Sequence, residues 1–263
     1  MTAWRKKGLI FQPSGEQPWA RSHCHVPTAE IIQDAVIRVY FASLDRHKFG
    51  RIGYVDLDID DPMRVLCVGL IPVLDLGEIG AFDDCGVVPS CLISWNNQKR
   101  LYYIGFQRAQ RVPYMLFSGM AIQTASGSFT RFAVTPILDR TPSEPFSRSA
   151  PFIRAEGKLL RMWYWSCLRW IETPEGVHYH NVIRHASSPD GIVWQADEDI
   201  CIEPNLPDEY SIGRPSGLWD GFRYRKWYSV RYFSSGYSLG DAELADVPSR
   251  ATNATPAAIT KPG

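Results

Sequence analysis

The sequence predicts an all-β chain, a β-propeller assembled from four-stranded units of about 62 residues. Three observations carry this. Pro27, Pro89, Pro151 and Pro215 follow one another at intervals of 62, 62 and 64 residues. Tyr40, Tyr103, Tyr164 and Tyr228 keep nearly the same period, at 63, 61 and 64. No window of helical length keeps an apolar period of 3.6. A long fixed period marks a repeat architecture, because each unit buries its apolar face only against the next. The stretches between the markers agree. Pro72-Val-Leu-Asp75 returns as Pro136-Ile-Leu-Asp139, and Phe82 returns as Phe146, each shifted by 64.

The units run over about 23–74, 75–138, 139–203 and 204–240. In the first, Val36 to Ser43 and Arg51 to Asp58 read as the second and third strands. The second holds the densest acidic pair beside a strand, Phe82-Asp-Asp-Cys-Gly86, with strands expected over Gly86 to Ile93 and Arg100 to Phe106. In the third, strands are expected over Ser149 to Arg154, Lys158 to Ser166 and Asn181 to Ala186, with Val193-Trp194 opening a fourth. Val, Ile, Tyr, Trp and Phe suit a pleated, half-buried surface, and Asp190-Gly191 supplies turn geometry. The fourth unit begins with Ile212 to Ser216, turns at Trp219-Asp-Gly221 and continues over Arg223 to Arg231 and from Gly236. Residues 241–263 lack strand alternation and read as a disordered tail. The first 22 residues carry Trp4, Pro13, Pro18 and Trp19 and suit a segment packed beside the last unit.

With 263 residues, 45% of them hydrophobic, the chain has material for a sizeable core. A formal net charge of +0 gives no field that would draw nucleic acid or an anionic membrane, so no nucleic-acid partner is expected. The six cysteines form no CxxC pair and read as buried free thiols. The first residues lack the apolar run of a signal peptide, and no stretch is long enough to span a membrane. A cytoplasmic protein is expected, with no cofactor.

The proline-led inner strands, the aromatic second strands and the phrase Ser188-Pro-Asp-Gly-Ile-Val-Trp194 resemble the five-bladed β-propeller glycosidases. That group includes arabinanases, β-xylosidases, invertases, levansucrases and mannoside phosphorylases. Within it, the chain is most similar to propeller proteins encoded with bacterial surface-polysaccharide genes and to the N-terminal part of a plant glucosaminyl inositolphosphorylceramide transferase. The resemblance covers residues 20–240 and implies five blades, where four are legible. Either the tail replaces a fifth blade or the ring closes with four; Tyr237 to Asp246 resembles the beginning of an ordinary third strand, which favours the first.

The resemblance also implies carboxylates on the inner strands of successive blades, facing a central channel. Glycosidic cleavage requires a protonated carboxyl to donate to the leaving oxygen and an ionised one to activate water or attack the sugar. Asp83 and Asp84 match the second acidic position and are the leading acid/base candidates. His23, Cys24 and His25 stand where the group places its first Asp. Ser147, Arg148 and Ser149 stand where a Glu acid is usual, with Glu144 upstream. Asp208, Glu209 and Arg214 are the fourth unit's candidates. Two of three expected carboxylates are thus displaced.

His23, His25, Arg148 and Arg214 would instead surround a channel with groups suited to phosphate or carboxylate. Plainer readings compete: a solvated turn for Asp83-Asp84, and ion pairs with neighbouring carboxylates for the two arginines. His23 and His25 share a face but lack a third ligand nearby, so no metal is expected. His178 and His180 read as loop residues on the surface. The functional expectation is a carbohydrate ligand, handled by a glycosidase or glycoside phosphorylase relative. The alternatives are a non-catalytic glycan-binding module of polysaccharide or glycolipid assembly and a protein-interaction scaffold.

Overall fold

A computed structural model describes residues 7–33, 35–219, 224–244 and 255–257. Sixteen strands and no helix occur among them. The first unit comprises β1 (Ser22–Ile32), β2 (Val36–Leu44), β3 (Gly50–Asp58) and β4 (Val65–Val68). The second comprises β5 (Gly86–Trp95), β6 (Gln98–Arg108), β7 (Tyr114–Gln123) and β8 (Phe129–Arg131). The third comprises β9 (Arg148–Glu156), β10 (Leu159–Thr173), β11 (Gly176–Ser188) and β12 (Gln195–Ile202). The fourth comprises β13 (Glu209–Trp219), β14 (Tyr224–Tyr232), β15 (Gly236–Leu244) and β16 (Thr255–Ala257). Within each unit, consecutive strands pair antiparallel.

Successive units are stitched by the third strand of one to the first strand of the next. A single parallel pair joins Gly50 to Gly86, another joins Phe117 to Arg148, and Asn181 Nδ2 donates to Ser211 Oγ at 3.0 Å across the third seam. The first strands β1, β5, β9 and β13 therefore lie side by side in that order around an axis. The cores lie between units. Tyr40, Ile52 and Phe129 fill the space between units one and two. Tyr102, Met162 and Tyr164 fill the next, and Trp163, Ile212 and Tyr228 the last.

The repeated prolines mark a repeated irregularity. Every axial strand breaks register at its proline, between His25 and Thr28, Pro89 and Cys91, Ser149 and Phe152, and Gly213 and Ser216. Proline has no N–H to give the ladder, so a strand accommodates it at a bulge. The preceding residue takes a left-handed φ in three units, at Val26 (52°), Ala150 (50°) and Arg214 (46°). A bulge re-aims the side chains around it.

The Ser188–Trp194 phrase works as a tie between units. Asp190 Oδ1 accepts the backbone N–H of Ile192 and Val193, closing the turn. The turn then docks on the second unit, with Tyr102 Oη donating to Gly191 O at 3.0 Å and Arg100 to Asp190 O at 2.6 Å. A side chain at Gly191 would meet Tyr102 Oη at 2.5 Å, and the φ of 75° favours glycine as well.

Several expectations are corrected. Asp241 to Leu244 extend β15 and Thr255–Ala257 pair with it, so these parts of the expected tail are strand; the rest of the tail lies outside the described residues. The segment before β1 packs on unit one, where Trp19 and Phe11 cover Phe41 and Val55. Trp4 and the turn residues Asp220 and Gly221 lie outside the described residues. His178 and His180 are on β11, because the β10–β11 hairpin runs on to Thr173 and Gly176. Val193-Trp194 belongs to the turn before β12. Of the thiols, Cys91 and Cys167 are buried, Cys24, Cys85 and Cys201 are half-buried, and Cys67 is exposed on the edge strand β4. No helix among the described residues is long and apolar enough to cross a membrane.

Candidate functional site

A cavity of about 770 Å³ opens on the axis. It draws residues from all four units, which is how an axial site forms in a radial repeat. The four residues that precede the repeated prolines, Val26, Val88, Ala150 and Arg214, all line it. Outside them, period-two faces of the outer strands complete the wall: Ile104, Phe106 and Arg108 on β6, Tyr179 and Asn181 on β11, Ser229 and Arg231 on β14.

The wall is mostly apolar and aromatic, with a few polar atoms left without partners. Trp165 Nε1, Asn181 Oδ1 and His25 Nε2 are buried and have no hydrogen-bond partner. Burial, and behind it the neighbouring His23, hold His25 below the ordinary histidine range. Burial lowers the Arg214 guanidinium to about 10, so it stays charged at neutral pH. Arg214 donates to Pro27 O on the first strand of unit one. Arg231 sits between two rings, 4.9 Å from the Tyr179 centroid and 4.0 Å from that of Tyr237. Arg108 donates to His47 O and Lys48 O at 2.6 and 2.8 Å. Among the described residues, none of those lining the cavity is Asp or Glu.

The sequence-derived candidates divide sharply. Asp83 is fully buried, 2.7 Å from Arg131 Nε and 2.9 Å from Tyr103 Oη. Glu144 is buried as well; Tyr164 Oη donates to it at 3.0 Å and Arg148 Nη2 lies 3.0 Å away. In unit one, Tyr40 Oη donates to Glu30 at 2.9 Å. In three units, then, the repeated tyrosine donates to a buried or half-buried carboxylate. Burial pushes all three phenols up, and the carboxylates add to that rise. Arg148 belongs to this set and is corrected from channel to core, since its other nitrogen donates to Asp139 O at 2.7 Å.

Asp208 and Glu209 serve local turns. Asp208 accepts from Ser234, and Glu209 accepts the backbone N–H of Asn205 and Leu206. His23 is exposed and stacks on His25, with ring centroids 4.5 Å apart. Asp84 precedes β5, accepts from Gly80 N at 2.9 Å and keeps Oδ1 buried without a partner, yet it does not line the cavity. Of the candidates, the structure brings His25 and Arg214 into the cavity. Sequence reasoning missed Arg231, Arg108 and Asn181. The alternation Ser229-x-Arg231 was a usable signal, but only once the facing direction of β14 was known.

No family model matches the chain. The uncharacterized proteins Rv1502 and MT1551, from two strains of Mycobacterium tuberculosis, are each 36% identical to it over 229 residues, spanning 87% of this chain and 76% of theirs. Among solved structures, a thermostable family-43 glycoside hydrolase superposes with a TM-score of 0.69 at 14% identity, covering 97% of this chain and 85% of that one. A glycosyl hydrolase from Bacteroides ovatus gives 0.68 at 13%, covering 93% and 76%. The Bombyx mori GH32 β-fructofuranosidase BmSUC1 gives 0.63 at 12%, covering 89% and 49%. At such identities the likeness is one of fold. The chain belongs to the family of the two mycobacterial proteins and has the β-propeller fold of the family-43 and GH32 glycoside hydrolases.

Proposed function

We propose that this protein binds a carbohydrate in the axial cavity and does not cleave it by the two-carboxylate route. The observation that carries the proposal is the composition of the wall. Hydrolysis of either stereochemistry needs two carboxyl groups about 5–10 Å apart across the scissile bond, and none of the described lining residues is a carboxylate. Asp83 and Glu144 are committed to arginine and tyrosine partners in the core. Aromatic surface combined with a few placed polar groups is the usual make-up of a small-molecule site. Ser229, Arg214 and Arg231 in the wall carry the polar groups that hydroxyl groups would meet. A role as a glycan-binding module follows from this. A cytoplasmic location is part of the proposal, and the six free thiols support it.

The proposal includes the ring itself. We take the units as four blades of a five-bladed ring, the open place lying between units four and one. Supporting this, β15 makes no packing with β1 comparable to that of β11 with β13, among the described residues.

One observation favours a catalytic reading, the unpartnered Oδ1 of Asp84 near the start of β5. Turnover of a panel of aryl glycosides, with and without phosphate, separates the two. Wild type and Asp84→Asn are both expected at the buffer rate. Turnover that Asp84→Asn abolishes would make the protein an enzyme.

A further inference from the structure

The three arginines of the cavity differ from three that carboxylates hold elsewhere in the protein. Arg38 pairs with Asp56 at 2.8 Å, Arg131 with Asp83 at 2.7 Å and Arg148 with Glu144 at 3.0 Å. These pairs follow the rule that charge withdrawn from water is matched by opposite charge. Arg108, Arg214 and Arg231 have no carboxylate within ion-pair distance among the described residues. Their protein contacts are carbonyl oxygens, aromatic faces and one phenol, that of Tyr210 at 3.3 Å from Arg231.

The position of Arg214 adds an independent argument. Four equivalent bulge positions aim a side chain at the axis, and three hold aliphatic residues, Val26, Val88 and Ala150. The fourth holds a guanidinium, on the same left-handed bulge backbone that Val26 and Ala150 adopt. Among the described residues, one hydrogen bond from Arg214, to Pro27 O, leaves further donors of a five-donor fork facing the cavity.

Building on the carbohydrate reading, we propose that the bound sugar is anionic, carrying a carboxylate or a phosphate, and that Arg214 is the residue that selects it, with Arg231 and Arg108 supplying further positive charge. A planar guanidinium matches either anion through two parallel hydrogen bonds. The aromatic wall takes the sugar ring and the arginines take the charged substituent. The selectivity is therefore between charged and neutral sugars.

Titration calorimetry of the full chain tests this with glucose, glucuronate, glucose 6-phosphate and inorganic phosphate as probes. At least one of the two acidic sugars is expected to bind tenfold or more tighter than glucose, with affinity falling as salt rises. Arg214→Met is expected to remove that preference, lowering the affinity for the acidic sugar tenfold or more so that the ratio to glucose falls to about one. The stronger of glucuronate and glucose 6-phosphate identifies the anion as carboxylate or phosphate. Equal binding of acidic and neutral sugars by the wild type would overturn the inference and leave the carbohydrate reading standing. Binding of none of the sugars would overturn both. Phosphate alone binding as tightly as glucose 6-phosphate would overturn the inference too, since the sugar would then contribute nothing. If Arg214→Met gives no cooperative melt, the wild-type ratio of glucuronate and glucose 6-phosphate to glucose decides the question without it.

Discussion

Glu144→Ala is expected to destabilise the protein by about 3–5 kcal/mol, the usual cost of removing one partner of a buried ion pair. Glu144 and Arg148 are both nearly inaccessible to solvent, and their charged atoms approach to 3.0 Å. Tyr164 Oη donates to both carboxylate oxygens of Glu144, at 3.0 and 3.1 Å, and a second cation, Arg184, lies 3.8 Å away. Truncation leaves the buried Arg148 guanidinium and the Tyr164 phenol beside a void, without the carboxylate that accepted from both. The double variant Glu144→Leu/Arg148→Met is expected to recover most of the loss, because it removes both charges together. Urea unfolding of the three proteins checks this. A loss below about 1 kcal/mol, typical of exposed pairs, would show that Glu144 is not a core staple and would return it to the catalytic candidates.

Lys226→Met is expected to stabilise the protein, with an effect that depends on pH. Lys226 lies on β14, only 4% exposed, and its ammonium sits 3.8 Å above the centre of the Trp163 ring. Burial lowers it from an ordinary 10.5 to about 7, against a smaller opposing pull from Cys201 and Glu156. The sign follows from proton counting. Between pH 7 and 10.5 the unfolded chain holds a proton that the native lysine has released, so this group makes stability rise with pH across that window. Below pH 7 the native protein carries a buried charge and the full penalty is present. The shift corresponds to a few kcal/mol, on the order of 3–5. Lys226→Met removes both the penalty and the slope, so the gain is largest near pH 7 and shrinks toward pH 9. The thiols of Cys24 and Cys91, pushed by burial to about 11, act in the opposite sense above pH 9 in both proteins. The difference between the two proteins from pH 6 to 9 therefore reports Lys226. A constant difference across that range would contradict the assignment.

The two markers that exposed the repeat also explain which parts of the site were misread. Proline and tyrosine positions recur because each axial strand carries a bulge and, in three units, the second strand places a phenol beside a carboxylate. Asp83 precedes Tyr103 by 20 residues, and Glu144 precedes Tyr164 by 20. That shared spacing was available in the sequence and marks these carboxylates as part of the repeated core. An acid that recurs with the scaffold's own period belongs first to the scaffold. Arg214 was legible for the complementary reason: it occupies a repeated position where the other units hold aliphatic residues.

The rest of the cavity was not legible. Arg231, Tyr179, Trp165 and Arg108 come from different units and meet only after the axial strands assemble. No local spacing records that assembly. Asp241 to Leu244 read as tail because one short stretch carries no alternation by itself. They are strand because Tyr224 to Trp227 on β14 offer them a paired edge. His178 and His180 followed a Pro/Gly-containing stretch that suggested a loop, whereas Thr173 and Gly176 close the end of a long hairpin.

The central claim is that the axial cavity is a carbohydrate site. The most direct measurement is a thermal melt of the full chain, alone and with neutral, acidic and phosphorylated sugars at millimolar concentration. A ligand that binds only the native state stabilises it by mass action, by about 2.7 kcal/mol at a hundredfold excess over its dissociation constant, and so raises the melting temperature. A cooperative melt shifted upward by acidic or phosphorylated sugars is expected. A cooperative melt that no sugar moves would contradict it, and the cavity would then have to be explained without a carbohydrate.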